Sequence, residues 1–183
     1  VSKRKKPTYP DIRPVLRQLG KVARREAEAG VSVFAKAHRD RFVDRILDQD
    51  FRSFQVVFYP ESGTNLSPRW LARKAAKGAD DRTMIATGNY VSQIKVFRKP
   101  VRGGVQFRIG FSPSARARDL DGKTQDITLD RVARILENGS QKAQIPARPH
   151  WGPHEKVMRK EAAAVRVRIA RRIVRELRRA GGG

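Results

Sequence analysis

No cysteine occurs among the 183 residues, which excludes disulfides and thiolate metal sites alike. Acidic residues are scarce, with 18 Asp and Glu against 41 Lys and Arg, a formal net charge of +23. No apolar run approaches the ~18 residues that a membrane-spanning helix requires, so no membrane partner is expected. The opening VSKRKK is basic, but no apolar stretch follows it as in a secretory signal. The expectation is a protein that is soluble and intracellular when made. Signatures of catalysis are missing too: there is no P-loop pattern, no G-x-S-x-G elbow and no HExxH helix. Asp80, Asp81, Asp119, Asp121 and Asp126 fall in turn-rich stretches, where acids serve solubility. His38, flanked by charged residues, reads as a surface histidine. His150 and His154 are four apart, but Gly152 and Pro153 intervene and no cysteine accompanies them, a poor metal pair. The chain therefore reads as non-enzymatic, with no metal and no cofactor.

What is abundant is positive charge, and it is unevenly placed. Lys3, Arg4, Lys5 and Lys6 make residues 1–10 a flexible basic arm. Between Lys156 and Ala180 there are ten basic and two acidic residues. Helical spacing puts Lys160, Arg168, Arg171, Arg175, Arg178 and Arg179 on one side of that segment. Met158, Ala162, Val165, Ile169, Ile173 and Leu177 form an apolar stripe on the other. Six like charges on one helix face are unfavourable without a counter-charge. The arm and this face thus read as contacts for DNA phosphates or for an acidic partner, with no base-reading motif. A solvated amphipathic face is the plain alternative.

Apolar spacing predicts a long helix, or two collinear ones, over residues 11–49, with Asp11 as cap and Pro14 in the first turn. Gly20 or Gly30 marks a kink or a close helix contact. Phe54, Val56 and Phe58 suggest a short extended segment. Ser67-Pro68 opens a short helix that Gly78 ends. Ile94 and Val96, then Val105, Phe107, Ile109 and Phe111, alternate with polar residues on either side of a Gly-containing turn, which predicts an antiparallel hairpin. Residues 112–126 read as a polar loop. Thr128 caps a helix ending near Gly139, the two prolines of 144–149 impose an extended connector, and a last helix runs from about Pro153 to Arg179. Three glycines, 181–183, form a tail. The fold class is α+β: a small antiparallel sheet centred on the hairpin, flanked by a long N-terminal helix, a short middle helix and a basic C-terminal helix in one domain, 11–180.

Two stretches carry a family resemblance. The first is Leu66-Ser67-Pro68-Arg69-Trp70-Leu71-Ala72-Arg73-Lys74, with Arg82-Thr83-Met84-Ile85-Ala86-Thr87-Gly88-Asn89-Tyr90 after a short spacer. The second is Ile135-Leu136-Glu137-Asn138-Gly139, followed by Ile145-Pro146-Ala147-Arg148-Pro149-His150. In order and spacing, over roughly residues 66–180, they resemble the tailed-bacteriophage virion-morphogenesis family, also called minor tail, tail-completion or neck proteins. Members usually show Phe and a small apolar residue where His150-Trp151 stands here. The resemblance implies a structural virion component at the head–tail joint, of tail-terminator type and assembled in the host cytoplasm. It further implies a homo-oligomeric ring, with a hexamer expected, whose neighbours are head–tail connector and tail-tube proteins and the packaged double-stranded DNA. The competing expectation, from charge alone, is a free sequence-neutral nucleic-acid-binding protein.

Within those stretches, Arg148 sits between two prolines on a stiff backbone. It reads either as a fixed guanidinium for a carboxylate such as Glu137, or as an ordinary exposed turn arginine. Thr87-Gly88 reads as a turn with Gly88 at positive φ. Trp70 and Trp151 read as core or interface anchors.

Overall fold

The structure, a computed structural model, describes residues 13–50, 66–82, 88–102, 104–142 and 145–181. Helix α1 spans Arg13–Leu47, with Pro14 in its first turn where no amide bond is lost. Phe34, His38, Phe42 and Ile46 follow each other at four-residue steps on its inward face, and the last three are fully buried. Leu16 and Val31, by contrast, turn outward. Gln49, at φ 55°, ends the helix, and its side-chain amide donates to the Ile46 carbonyl at 2.6 Å.

A short helix α2, Pro68–Ala75, starts at the predicted Ser67-Pro68, and Gly78 beyond it takes φ 59°. One turn, α3 (Asn89–Ser92), follows Gly88 at φ 72°. The hairpin then forms as expected: β1 (Lys95–Val101) runs antiparallel to β2 (Gly104–Gly110), with Lys95 opposite Gly110 and Val101 opposite Gly104. The stretch expected as a loop, 112–126, instead carries most of a second two-stranded sheet, β3 (Arg116–Arg118) with β4 (Thr124–Thr128). These strands are short and polar, so no apolar alternation announced them. Ala115 and Ala117 are what they turn toward the core.

Helix α4, Leu129–Asn138, is capped as predicted, with Thr128 Oγ1 accepting from the Arg131 amide at 3.3 Å. A bridge between Ser140 and Ile145 leads into the extended 146–150 segment. Helix α5, Trp151–Gly181, starts two residues earlier than predicted, and Gly181 belongs to it rather than to a tail.

The core gathers Phe42 and Ile46 of α1, Tyr90 and Val91 of α3, Ile94, Phe111, and Leu129 and Ala133 of α4. From there α5 packs back along α1. Gly30 is the close helix contact anticipated: a Cβ there would lie 2.6 Å from Ile169 Cγ1. Arg172 meets Glu26 at 2.6 Å, and Arg41 grips both oxygens of Glu161 at 2.7 and 3.0 Å. The result is the α+β arrangement expected. The basic arm, Thr87 and the segment 54–58 lie outside the described residues. None of the described helices is long and apolar enough to cross a membrane.

Candidate functional site

The two stretches that carry the resemblance meet in space, through residues some sixty positions apart. Trp151 Nε1–H donates to the Tyr90 hydroxyl at 3.1 Å. That hydroxyl lies 2.6 Å from His150 Nε2, and His150 Nδ1 lies 2.9 Å from the Arg148 carbonyl. One assignment satisfies all three: Tyr90 donates to Nε2, and Nδ1–H donates to the carbonyl. Burial pushes the Tyr90 hydroxyl well above its ordinary pKa, so it keeps its proton and can donate it. Phe42, Phe111 and Trp151 enclose it, with the Phe42 and Trp151 rings 4.3 Å apart and those of Phe111 and Trp151 5.8 Å apart.

Glu137 holds this knot to the start of α5. Its carboxylate accepts the amides of His150 (2.8 Å), Trp151 (3.0 Å) and Gly152 (2.9 Å). These are donors that a helix N-terminus leaves without an internal partner, and a negative charge there also opposes the helix dipole favourably. Burial alone would raise this carboxyl. Hydrogen bonds from His150, Gly152 and Trp151 outweigh it and hold the pKa at about 2. This also explains why α5 begins at Trp151: an acid from α4 caps it, and Pro153 falls within the first turn. The carboxylate offered by the sequence to Arg148 is thus committed to the backbone. Arg148 is itself buried, which removes the reading as an exposed turn arginine, and its amide donates to the Leu136 carbonyl at 2.6 Å.

Gly139, between these pieces, has φ 75° and ψ 178°, a region only glycine occupies comfortably. A Cβ there would stand 2.8 Å from the Ala147 amide nitrogen and 2.9 Å from the Ile145 oxygen. The connector bearing Pro146, Arg148 and Pro149 therefore lies directly on the end of α4.

His38 is the clearest correction. It is fully buried rather than on the surface, because it occupies the inward turn of α1 between Phe34 and Phe42. Its ring centroid is 4.3 Å from that of Phe34 and 5.4 Å from that of His154. Burial, reinforced by Arg41, lowers its pKa, while Glu161 opposes the shift. His154 is also buried, and neither of its ring nitrogens has a hydrogen-bond partner among the described residues. Burial first, then His38 and the nearby arginines, push it down to about 4. The pair stays uncharged near neutrality and acts as aromatic filling. Among the described residues no group of three or more His, Asp or Glu side chains is placed to hold a metal.

Lys74, inside the first stretch, is another group that sequence reasoning missed. It is almost fully buried, and its ammonium donates to the carbonyls of Asp80 (2.7 Å) and Arg82 (2.6 Å), which shapes the turn after α2. Trp70 is not in the core: it is 37% exposed, with the Arg73 guanidinium 5.5 Å from its ring.

The second candidate surface is the far half of α5. Lys160, Arg168, Arg171, Arg175, Arg178 and Arg179 are all exposed, opposite the predicted stripe, whose Val165 is buried and whose Met158, Ala162, Ile169, Ile173 and Leu177 are half-buried. Arg172 pairs with Glu26 and Arg179 with Glu176. Arg166, Arg168, Arg171, Arg175 and Arg178 have no carboxylate partner among the described residues. Compared with protein-family models, with curated proteins and with solved structures, the chain matches none.

Proposed function

We propose that this chain is a structural virion protein of a tailed bacteriophage, a tail-completion or neck component that forms a ring at the head–tail joint. The observation that carries the reading is the knot itself. The stretch ending at Tyr90 and the one running through Glu137, Arg148 and His150 are the two stretches of the resemblance, and their residues bond to one another rather than lying apart. A sequence pattern that spends its distinctive residues on one joint is a pattern of architecture. The polar groups of that joint, the Tyr90–His150 pair among them, are buried and occupied with each other.

In this role the protein works by complementary surfaces. The knot fixes the direction in which α5 leaves the core, and α5 carries an outward arginine face toward a neighbouring subunit, a connector or tail-tube protein, or the end of the packaged genome. A hexameric ring suits a tail-facing joint. The unpaired arginines also favour the second reading, a free sequence-neutral binder of nucleic acid.

A reconstruction of particles from cells making this chain separates the two. The expected result is a ring of this chain between head and tail, with tails lost or unstable when its gene is deleted. Particles that lack the chain and assemble normally without it, with the protein monomeric in gel filtration and bound to cellular nucleic acid, would overturn the proposal.

A further inference from the structure

The outward face of α5 is more than charged. Ala163, Val167, Ala170 and Val174 follow one another at steps of four, three and four, all on the exposed side. Val167 is 51% exposed and Val174 47%. This is the spacing of a coiled-coil seam, in which alternate steps of three and four keep one narrow row facing a partner helix. The row lies away from the stripe that α5 buries, so nothing among the described residues covers it. An open groove over Val167, Ala170 and Val174 is bordered by Arg171, Arg175 and Arg178.

Charge beside the seam decides what fits it. Arg171 and Arg178 flank it on one side and Arg166 on the other, at the positions that set partner choice in helix pairs. A second copy of this helix would bring arginine against arginine in either orientation. DNA would meet the arginines, but phosphates gain nothing from a row of exposed valines, and no described aromatic ring lies in the groove for bases to stack on. A helix with a small apolar row and carboxylates along its borders satisfies both halves of the surface at once.

We infer that the outward face of α5, from Ala163 to Arg178, docks an acidic amphipathic helix of a partner protein, with Val167 and Val174 as the seam and Arg166, Arg171 and Arg178 as its charge readers. This rests on the reading of α5 as an assembly surface, and it narrows what meets that surface to an acidic protein helix.

The test uses the full chain and three probes at physiological salt. They are a helical peptide with a Val/Leu seam bordered by Glu, a peptide of the same charge with Ser on the seam, and a 20-base-pair DNA duplex. The seam peptide should bind at least about tenfold more tightly than the Ser peptide. Val167→Ser with Val174→Ser should abolish that preference while leaving the melting temperature unchanged, since both side chains are exposed. Arg171→Glu with Arg178→Glu should favour a Lys-bordered peptide instead. Equal binding of the two acidic peptides, or a DNA affinity that exceeds both and ignores the valine changes, would overturn the inference. Finding the chain outside the head–tail joint would instead sink the virion reading and leave this binding result standing.

Discussion

The two ends of the α1–α5 pair are built from the same helices and treat charge in opposite ways. Where α5 begins, Glu137 takes three amides, Tyr90, His150 and Trp151 bond in sequence, and aromatic rings close over them. Where α5 runs on past Val165, five arginines have no carboxylate among the described residues and two valines face outward. The difference shows which part of the sequence serves folding and which is free for something else. Buried polar groups favour pairing within the chain, because each unpaired one costs about 1–3 kcal/mol. Exposed arginines cost only tenths of that, since water and salt screen them, so they can stay unpaired until a partner arrives.

The sharpest way to break the packed end is Gly139→Ala. The new methyl meets backbone, not a flexible side chain, and the residue must hold a conformation that only glycine tolerates. A loss of about 3–4 kcal/mol is expected from strain plus displacement of the connector, read as a lowered denaturant midpoint. A near-neutral result would mean that the connector is not seated on α4.

Next in size is Glu137→Ala, which strands three amide donors and removes a charge from the positive end of α5. The expected cost is about 3 kcal/mol, with amide exchange rising first at Trp151 and Gly152. The same carboxylate gives a pH signature. Its folded pKa, about 2, lies below the ordinary 4.5, so its contribution is complete above pH 4.5 and fades as pH falls toward 2. Glu137→Ala should flatten that part of the stability profile.

His154 acts in a higher window. Folded, its pKa is about 4 against an ordinary 6.5, so between those values the unfolded chain holds a proton that the folded chain refuses. Stability must therefore fall as pH drops from 6.5 to 4, by up to about 3 kcal/mol. His38, Arg41 and Arg45 all resist the charge, while Glu161 lies beside His38 and favours protonation there. His154→Leu should remove most of this slope in acid denaturation. An unchanged slope would place the titrating group elsewhere.

These contrasts also mark what the sequence made legible. Period and punctuation carried the helices, the hairpin, the Thr128 cap and the Gly30 contact, because each is set by local chemistry and a repeat of two or 3.6. The β3–β4 pair stayed hidden because its strands are held by backbone bonds and show polar side chains. The site was half visible. Glu137, Gly139 and Arg148 stood out within the resemblance, yet their partners did not, since a carboxylate that caps a helix from another element leaves no spacing signal. His38 was readable in principle: a stripe that skips one turn and resumes asks what occupies the gap, and a histidine can serve as a ring there once it is neutral.

The smallest expected effect bears on the open end. Arg171→Gln, Arg175→Gln and Arg178→Gln together remove three exposed charges that support nothing within the chain. The change in unfolding free energy should stay within about 0.5 kcal/mol. Its sign should be stabilising at low ionic strength, where relief of like-charge repulsion along α5 is felt most, and should vanish as salt shortens the screening length to a few ångströms. Assembly should respond in the opposite direction, with docking of the ring or retention of DNA weakened while the fold is intact. That divergence is what distinguishes a surface kept for a partner from a merely solvated face. If the triple variant unfolds early, the arginines belong to the chain's own packing. If it folds and assembles unchanged, the charge on α5 has no role at the joint, and the comparison between the two ends loses its functional half.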